Sequence, residues 1–176
     1  KNAANMIHSI DAYIQRKVMR ICNYDAVVIR VPVSDITQPI LQCSTSPEVV
    51  HYLLPEVQNY IYVYTTTGIP VDVILYYLTV SDFVDLSDKH LRALNTVLNS
   101  MLTHHSFSII TIHDDYKCHP NNMNQLRFHY KNILADLANG SLIDAILSSL
   151  SGIQKTIPKL SYLLAQKIEK SNYALS

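Results

Sequence analysis

From Val31 to Asp88 the chain carries not one Lys or Arg, while Pro32, Pro39, Pro47, Pro55 and Pro70 break it at short intervals. A helix-interior proline costs about 3 kcal/mol, so no long helix runs through this stretch and it must fold as short elements joined by turns. The same stretch holds seven acids: Asp35, Glu48, Glu56, Asp72, Asp82, Asp85 and Asp88. All 14 Lys and Arg, and the other seven acids, lie outside it. The formal net charge of zero therefore conceals an acidic segment set in a basic frame. Counterion release at phosphates supplies much of the affinity for nucleic acid, so the flanks could grip a phosphate backbone that the middle would repel. Composition divides the chain into 1–22, 23–88 (the acidic insertion), 89–140 and 141–176. The insertion's charge either meets a protein partner or simply keeps the segment in solution.

At 176 residues, 48% hydrophobic and 16% charged, the chain has the material for one real core, with room for an insertion. No apolar run approaches the roughly 18–20 residues needed to span a bilayer, and the most apolar stretch, Val71–Leu78, is interrupted by Asp72. No membrane partner is expected, and no leader for secretion is evident. The sequence starts at Lys1 rather than Met, which suggests a processed product or a piece of something longer. Cys22, Cys43 and Cys118 lack zinc-ribbon or redox spacing and are expected as reduced thiols in a cytosolic compartment. With only three glycines, a glycine-rich phosphate loop or dinucleotide fingerprint is excluded.

The first helix is expected over about Ala3 to Cys22. Ile7, Ile10, Ile14, Val18 and Ile21 recur at helical spacing as its buried stripe, with Ala4, His8, Asp11 and Gln15 beside it at a boundary with solvent or a cleft. In the insertion, a short helix is expected from Pro47 toward Leu54. The Tyr- and β-branched-rich run Asn59–Thr66 favours a strand, with a helix as the alternative, and Val71–Leu78 is open between the two. Six of the twelve tyrosines (Tyr52, Tyr60, Tyr62, Tyr64, Tyr76, Tyr77) lie here, as core or as a partner surface. Asp88 is expected to cap a helix over Lys89–Thr103. Phe107–Asp114 reads as a strand and Tyr116–His119 as its hairpin partner, with His113-Asp114-Asp115 as the turn. Helices are expected from Pro120-Asn121-Asn122 to Asn139-Gly140, at Leu142–Leu150 and at Leu160–Ser171. The fold class is α+β.

Carboxylates on a tight β-turn project toward one point, and that suits a divalent metal. Asp is also simply favoured in turns, so spacing alone leaves both readings open. Likewise His8 and Asp11, three apart on a helix, are surface neighbours that are either a site or a satisfied boundary pair. A zinc set of His104, His105, His113 and His119 is a further arrangement, with only Cys118 near ligand spacing.

Three segments in order carry a resemblance: Asn5-Met6-Ile7-His8-Ser9-Ile10-Asp11, then His113-Asp114-Asp115-Tyr116 followed by the helix from Asn121, then Ile168-Glu169-Lys170-Ser171-Asn172-Tyr173-Ala174-Leu175-Ser176. Together they resemble the end of the single-subunit RNA polymerases of phage and mitochondrial type, nearest to phage enzymes with split chains. The resemblance covers roughly 1–22 and 105–176. It implies a palm-type segment with a catalytic β-hairpin. Asp114 would bind catalytic Mg2+, and His113 would support the hairpin. His8 would lie beside the newest base pair with Asp11 orienting it. Asp115, Tyr116 and the terminal carboxylate of Ser176 would stand near the metal rather than on it. It further implies a DNA template, an RNA product, ribonucleoside triphosphates, and the cytoplasm of an infected bacterial host.

Two departures qualify the resemblance. The family needs a second metal-binding Asp and a fingers helix with a Tyr-Gly pair, and neither is here. The chain would therefore act only with the remainder of a polymerase, in the same chain or a second subunit. His8 and His113 are also about a hundred positions apart where the family has a few tens, and the excess matches the acidic insertion. The related A-family DNA polymerases place His-Asp-Glu on this hairpin, while His8-Ser9, Asp115 in place of Glu and the tail favour RNA synthesis. A non-catalytic interaction module, using the acidic Tyr-rich segment, is the alternative from another class.

Overall fold

The computed structural model describes residues 2–25, 29, 53–112 and 115–172. The chain divides into two compact units. One comprises Lys1–Tyr24, His104–Gly140 and Thr156–Ser176, and the other Asp25–Thr103 and Ser141–Lys155. The described residues are mostly helical with one two-stranded antiparallel sheet, an α+β composition.

The first unit is built on α1 (Asn2–Cys22) and α4 (Met123–Asn139). The apolar spacing of α1 buries Ile14, Val18, Ile21 and Cys22, but Ile7 is 56% exposed and Ile10 only half-buried. The expected stripe is thus buried only along its C-terminal half. Periodicity fixes which side of a helix faces inward, not how far along it a partner reaches. Leu126, His129, Ile133 and Ala135 are the buried side chains of α4. A short helix α6 (Leu164–Lys170) packs on α4, burying Ala165. The Lys159 ammonium donates to the Ala138 carbonyl at 2.8 Å and also to that of Asn139, placing a cation at the C-terminus of α4, where the helix dipole favours one.

The strands β1 (Ile110–Ile112) and β2 (Asp115–Lys117) pair in the register Ile110 to Lys117, Thr111 to Tyr116 and Ile112 to Asp115. This corrects the expected hairpin at both ends. Phe107 leaves the ladder because its N–H donates to the Cys22 carbonyl at 2.9 Å, tying the approach to β1 onto the end of α1. Asp115 belongs to β2, so the register leaves residues 113 and 114 between the strands.

In the second unit, Asn59–Thr66 lies within a helix, α2 (Pro55–Thr67), against the strand that β propensity favours. Pro55 supplies a pre-set φ in the first turn, and Gly68, at φ 71°, stops the helix in the left-handed region, its N–H bonded to the Tyr64 carbonyl at 2.7 Å. The threonines that read as strand formers turn their hydroxyls back to carbonyls four residues earlier: Thr65 to Ile61, Thr66 to Tyr62 and Thr67 to Val63. Val71–Leu78 holds a 3₁₀ turn over Asp72–Tyr76, and a second spans Val80–Asp85.

Helix α3 (Asp88–Leu102) is capped by Ser87, whose hydroxyl accepts from the His90 N–H at 3.3 Å; Asp88 sits in the first turn instead of at the cap expected of it. It buries His90, Leu91, Leu94, Val97, Leu98 and Met101. The Tyr64 ring stacks on His90 at 4.0 Å. Helix α5 (Leu142–Ser151) contacts α2, and the Ser141 N–H donates to the Thr67 carbonyl at 2.8 Å.

The acidic segment is less of a surface than its composition suggests. Asp72 is 1% and Asp82 6% exposed, and Asp82 is spent as a cap, accepting from both the N–H and the hydroxyl of Thr79 at 2.6 and 2.8 Å. Glu56, Asp85 and Asp88 face solvent, while Asp35, Glu48 and the helix expected from Pro47 lie outside the described residues.

Candidate active site

Residues 8, 11, 12 and 15 of α1 stand at i, i+3, i+4 and i+7, and so share one face beside the apolar stripe. That face is held to the hairpin by the Gln15 side-chain amide, which donates to the Thr111 hydroxyl at 2.7 Å. Thr111 is paired across the sheet with Tyr116. Because side chains alternate along a strand, Tyr116 takes the face opposite to its exposed neighbours Asp115 and Lys117, and its ring meets Tyr130 of α4 edge-on at 5.5 Å. The result is a cleft of about 420 Å³ lined by His8, Asp11, Ala12, Ile14, Gln15, Tyr116 and Tyr130.

This cleft brings together His8, Asp11 and Tyr116, which the sequence separates by about a hundred positions. Asp115 is exposed on β2, paired with Ile112. His113, Asp114 and Ser176 lie outside the described residues. Ser9 of the α1 motif turns its hydroxyl back to the Asn5 carbonyl at 2.8 Å, so its role is local to the helix. The cleft presents an imidazole, a carboxylate, an amide and two phenol rings, a set that can orient a polar, ring-bearing ligand. Among the described residues no three His, Cys, Asp or Glu side chains are grouped to hold a metal ion.

Two features escaped the sequence reading. Lys17, inside the apolar face of α1, is 1% exposed; its ammonium lies 3.6 Å from the Asp136 carboxylate and 3.2 Å from the Tyr13 hydroxyl. Burial, opposed by Lys17, holds the Asp136 carboxyl above the usual range. A lysine at a helical core position, with an acid on another helix, is the only sequence signal for such a pair. The second feature is a histidine pair. The His104 and His129 Nε2 atoms are 2.7 Å apart, and the His104 Nδ1 lies 2.9 Å from the His105 carbonyl. Donation from His104 Nδ1 to that carbonyl makes its Nε2 the acceptor and His129 Nε2 the donor. Burial, reinforced by His104, lowers His129 to about 4. His104 thus pairs with a residue outside the alternative zinc set, of which His113 lies outside the described residues.

No protein-family model and no curated protein matches the chain. Among the described residues no single helix is long and apolar enough to cross a membrane.

Proposed function

We propose that this chain is the palm-type, catalytic C-terminal part of a DNA-directed RNA polymerase of the single-subunit kind, working with the remainder of that enzyme in a longer chain or a second subunit. One observation carries the reading. The helix bearing Asn5-x-x-His8-Ser9-x-Asp11 is bonded to the hairpin β1–β2, and Tyr116 of that hairpin lines the same cleft as His8 and Asp11. In this reading the RNA 3′-hydroxyl attacks the α-phosphate of a ribonucleoside triphosphate paired to the DNA template. A new P–O bond forms, and pyrophosphate leaves with the electrons of the broken one.

His8 and Asp11 bind and orient the sugar side of the newest base pair, and Tyr116 with Tyr130 forms the wall against which that pair sits. Asp114 is the carboxylate this chain contributes to a magnesium site. Magnesium held there would supply charge neutralisation for the phosphoryl transfer. The place of action is the cytoplasm of an infected bacterium.

The test is RNA synthesis on a single-stranded template by the assembly purified through a tag on this chain, with Asp114 intact and as Asp114→Asn. Loss of roughly a thousandfold or more, with template binding retained, supports the reading. Normal synthesis by the substituted assembly sinks it, and makes the hairpin turn structural. Incorporation of deoxyribonucleotides instead would move the chain to the A-family DNA polymerases.

A further inference from the structure

On α4, Asn124, Arg127, Phe128 and Lys131 stand at i, i+3, i+4 and i+7 and form one stripe. With Ser171 and Asn172, which follow α6, they line a second cleft of about 340 Å³. The Lys131 ammonium donates to the Glu169 carbonyl at 2.9 Å and the Ser171 carbonyl at 3.3 Å, which fixes this wall while leaving its charge uncancelled by any carboxylate of the lining. Arg127 is exposed and held by no hydrogen bond or ion pair among the described residues. Phe128 is 47% exposed, one edge against the His129 ring at 5.3 Å. A half-exposed aromatic ring and a guanidinium thus line the same cleft.

We infer that this cleft binds single-stranded nucleic acid, with a base stacked on Phe128 and the adjoining phosphates on Arg127 and Lys131. A free phosphate would use the cations but not the ring, and a duplex keeps its bases stacked on one another and out of reach. A splayed strand uses both, with Asn124 and Asn172 as amides able to meet base edges. The inference stands on these residues and not on the polymerase reading.

The experiment is fluorescence anisotropy of a labelled oligothymidylate titrated with the full chain over a series of salt concentrations, each variant being checked for native circular dichroism. Arg127→Gln is expected to weaken binding and to flatten the dependence of log Kd on log salt by about 0.7, the share of one phosphate contact on a single strand. Phe128→Ala is expected to weaken binding roughly fivefold to a hundredfold with the slope unchanged, and Phe128→Trp to restore it. The inference is overturned if the unaltered chain does not hold the strand at low salt, if both variants bind as it does, or if inorganic polyphosphate displaces the strand as well as unlabelled oligothymidylate does. RNA synthesis unaffected by Asp114→Asn, with strand binding still lost in Arg127→Gln, would remove the polymerase reading and leave this one standing.

Discussion

The Lys17–Asp136 pair makes an asymmetric prediction. The Lys17 side chain is 1% exposed and that of Asp136 38%, so the two charges are not equally dependent on each other. Breaking a buried pair from one side costs about 3–5 kcal/mol when the charge left behind cannot reach water. Asp136→Asn leaves the ammonium enclosed, with the Tyr13 hydroxyl at 3.2 Å and the Tyr13 ring centre at 5.7 Å. Those contacts soften the loss, which should be about 3 kcal/mol. Lys17→Met fills nearly the same volume, removes the desolvated charge, and leaves a carboxylate that water can reach; it should cost only about 1 kcal/mol. Lys17→Met combined with Asp136→Asn should cost only about 1 kcal/mol in total, giving a coupling of about 3 kcal/mol. Urea denaturation followed by circular dichroism measures each corner of this cycle, and amide exchange in α1 reports on the unit that holds the pair. A larger cost for Lys17→Met than for Asp136→Asn would refute the argument that the buried ammonium is the group needing its partner.

Acid should destabilise the chain early. Burial lowers His90 and His129 to about 4, against 6.5 when unfolded. The unfolded chain then binds more protons than the native one, and stability falls as pH drops from about 6.5 to about 4, by up to about 3 kcal/mol for each ring. Asp136, raised mainly by burial, works in the opposite sense, because from the ordinary carboxylate range upward the native state takes up its proton before the unfolded chain does. His129→Phe should flatten the fall seen in pH-dependent urea titrations; an unchanged slope would contradict it. Burial pushes the Cys22 thiol up to about 12, while Cys118 is half-buried. Mass spectrometry after alkylation at neutral pH should find Cys118 modified before Cys22, which stays protected until the chain unfolds; early labelling of Cys22 would count against its burial. No atom lies within 4 Å of a Cβ built on Gly68, so Gly68→Ala should cost only the conformational penalty of φ 71°, about 1–2 kcal/mol, and Gly68→Asn less. A shift below a few tenths of a kcal/mol would mean that α2 ends elsewhere.

Elements whose signals were redundant were legible in the sequence. For α1, α3 and α4, spacing and end residues agree, and each is found within a few residues of its expected span. For α2, β-branched and aromatic residues argued for a strand, but Pro55 and Gly68 bound a helix whose Thr hydroxyls turn back to helical carbonyls. Burial was less legible than secondary structure. Nothing in the order of residues says that Asp72 and Asp82 turn inward while Asp85 stays out, since that depends on which carbonyls and N–H groups the turns leave open. In the cleft, the face carrying His8 and Asp11 was readable from helical spacing. The Gln15–Thr111 bond that sets this face against the hairpin joins residues 96 positions apart and was not readable. Lys17 and the His104–His129 pair were invisible for the same reason, because each is defined by a partner on another element.

The proposed function requires that Asp114 help to bind a divalent metal near the cleft that His8, Asp11 and Tyr116 line. It is tested most directly by replacing magnesium with Fe2+ in the tagged assembly and mapping where hydroxyl radicals generated at the metal cut this chain. The account predicts cuts clustered at residues 112–116 and around His8–Asp11, lost in Asp114→Asn. Cuts confined to other segments, or an undiminished pattern in Asp114→Asn, would contradict it.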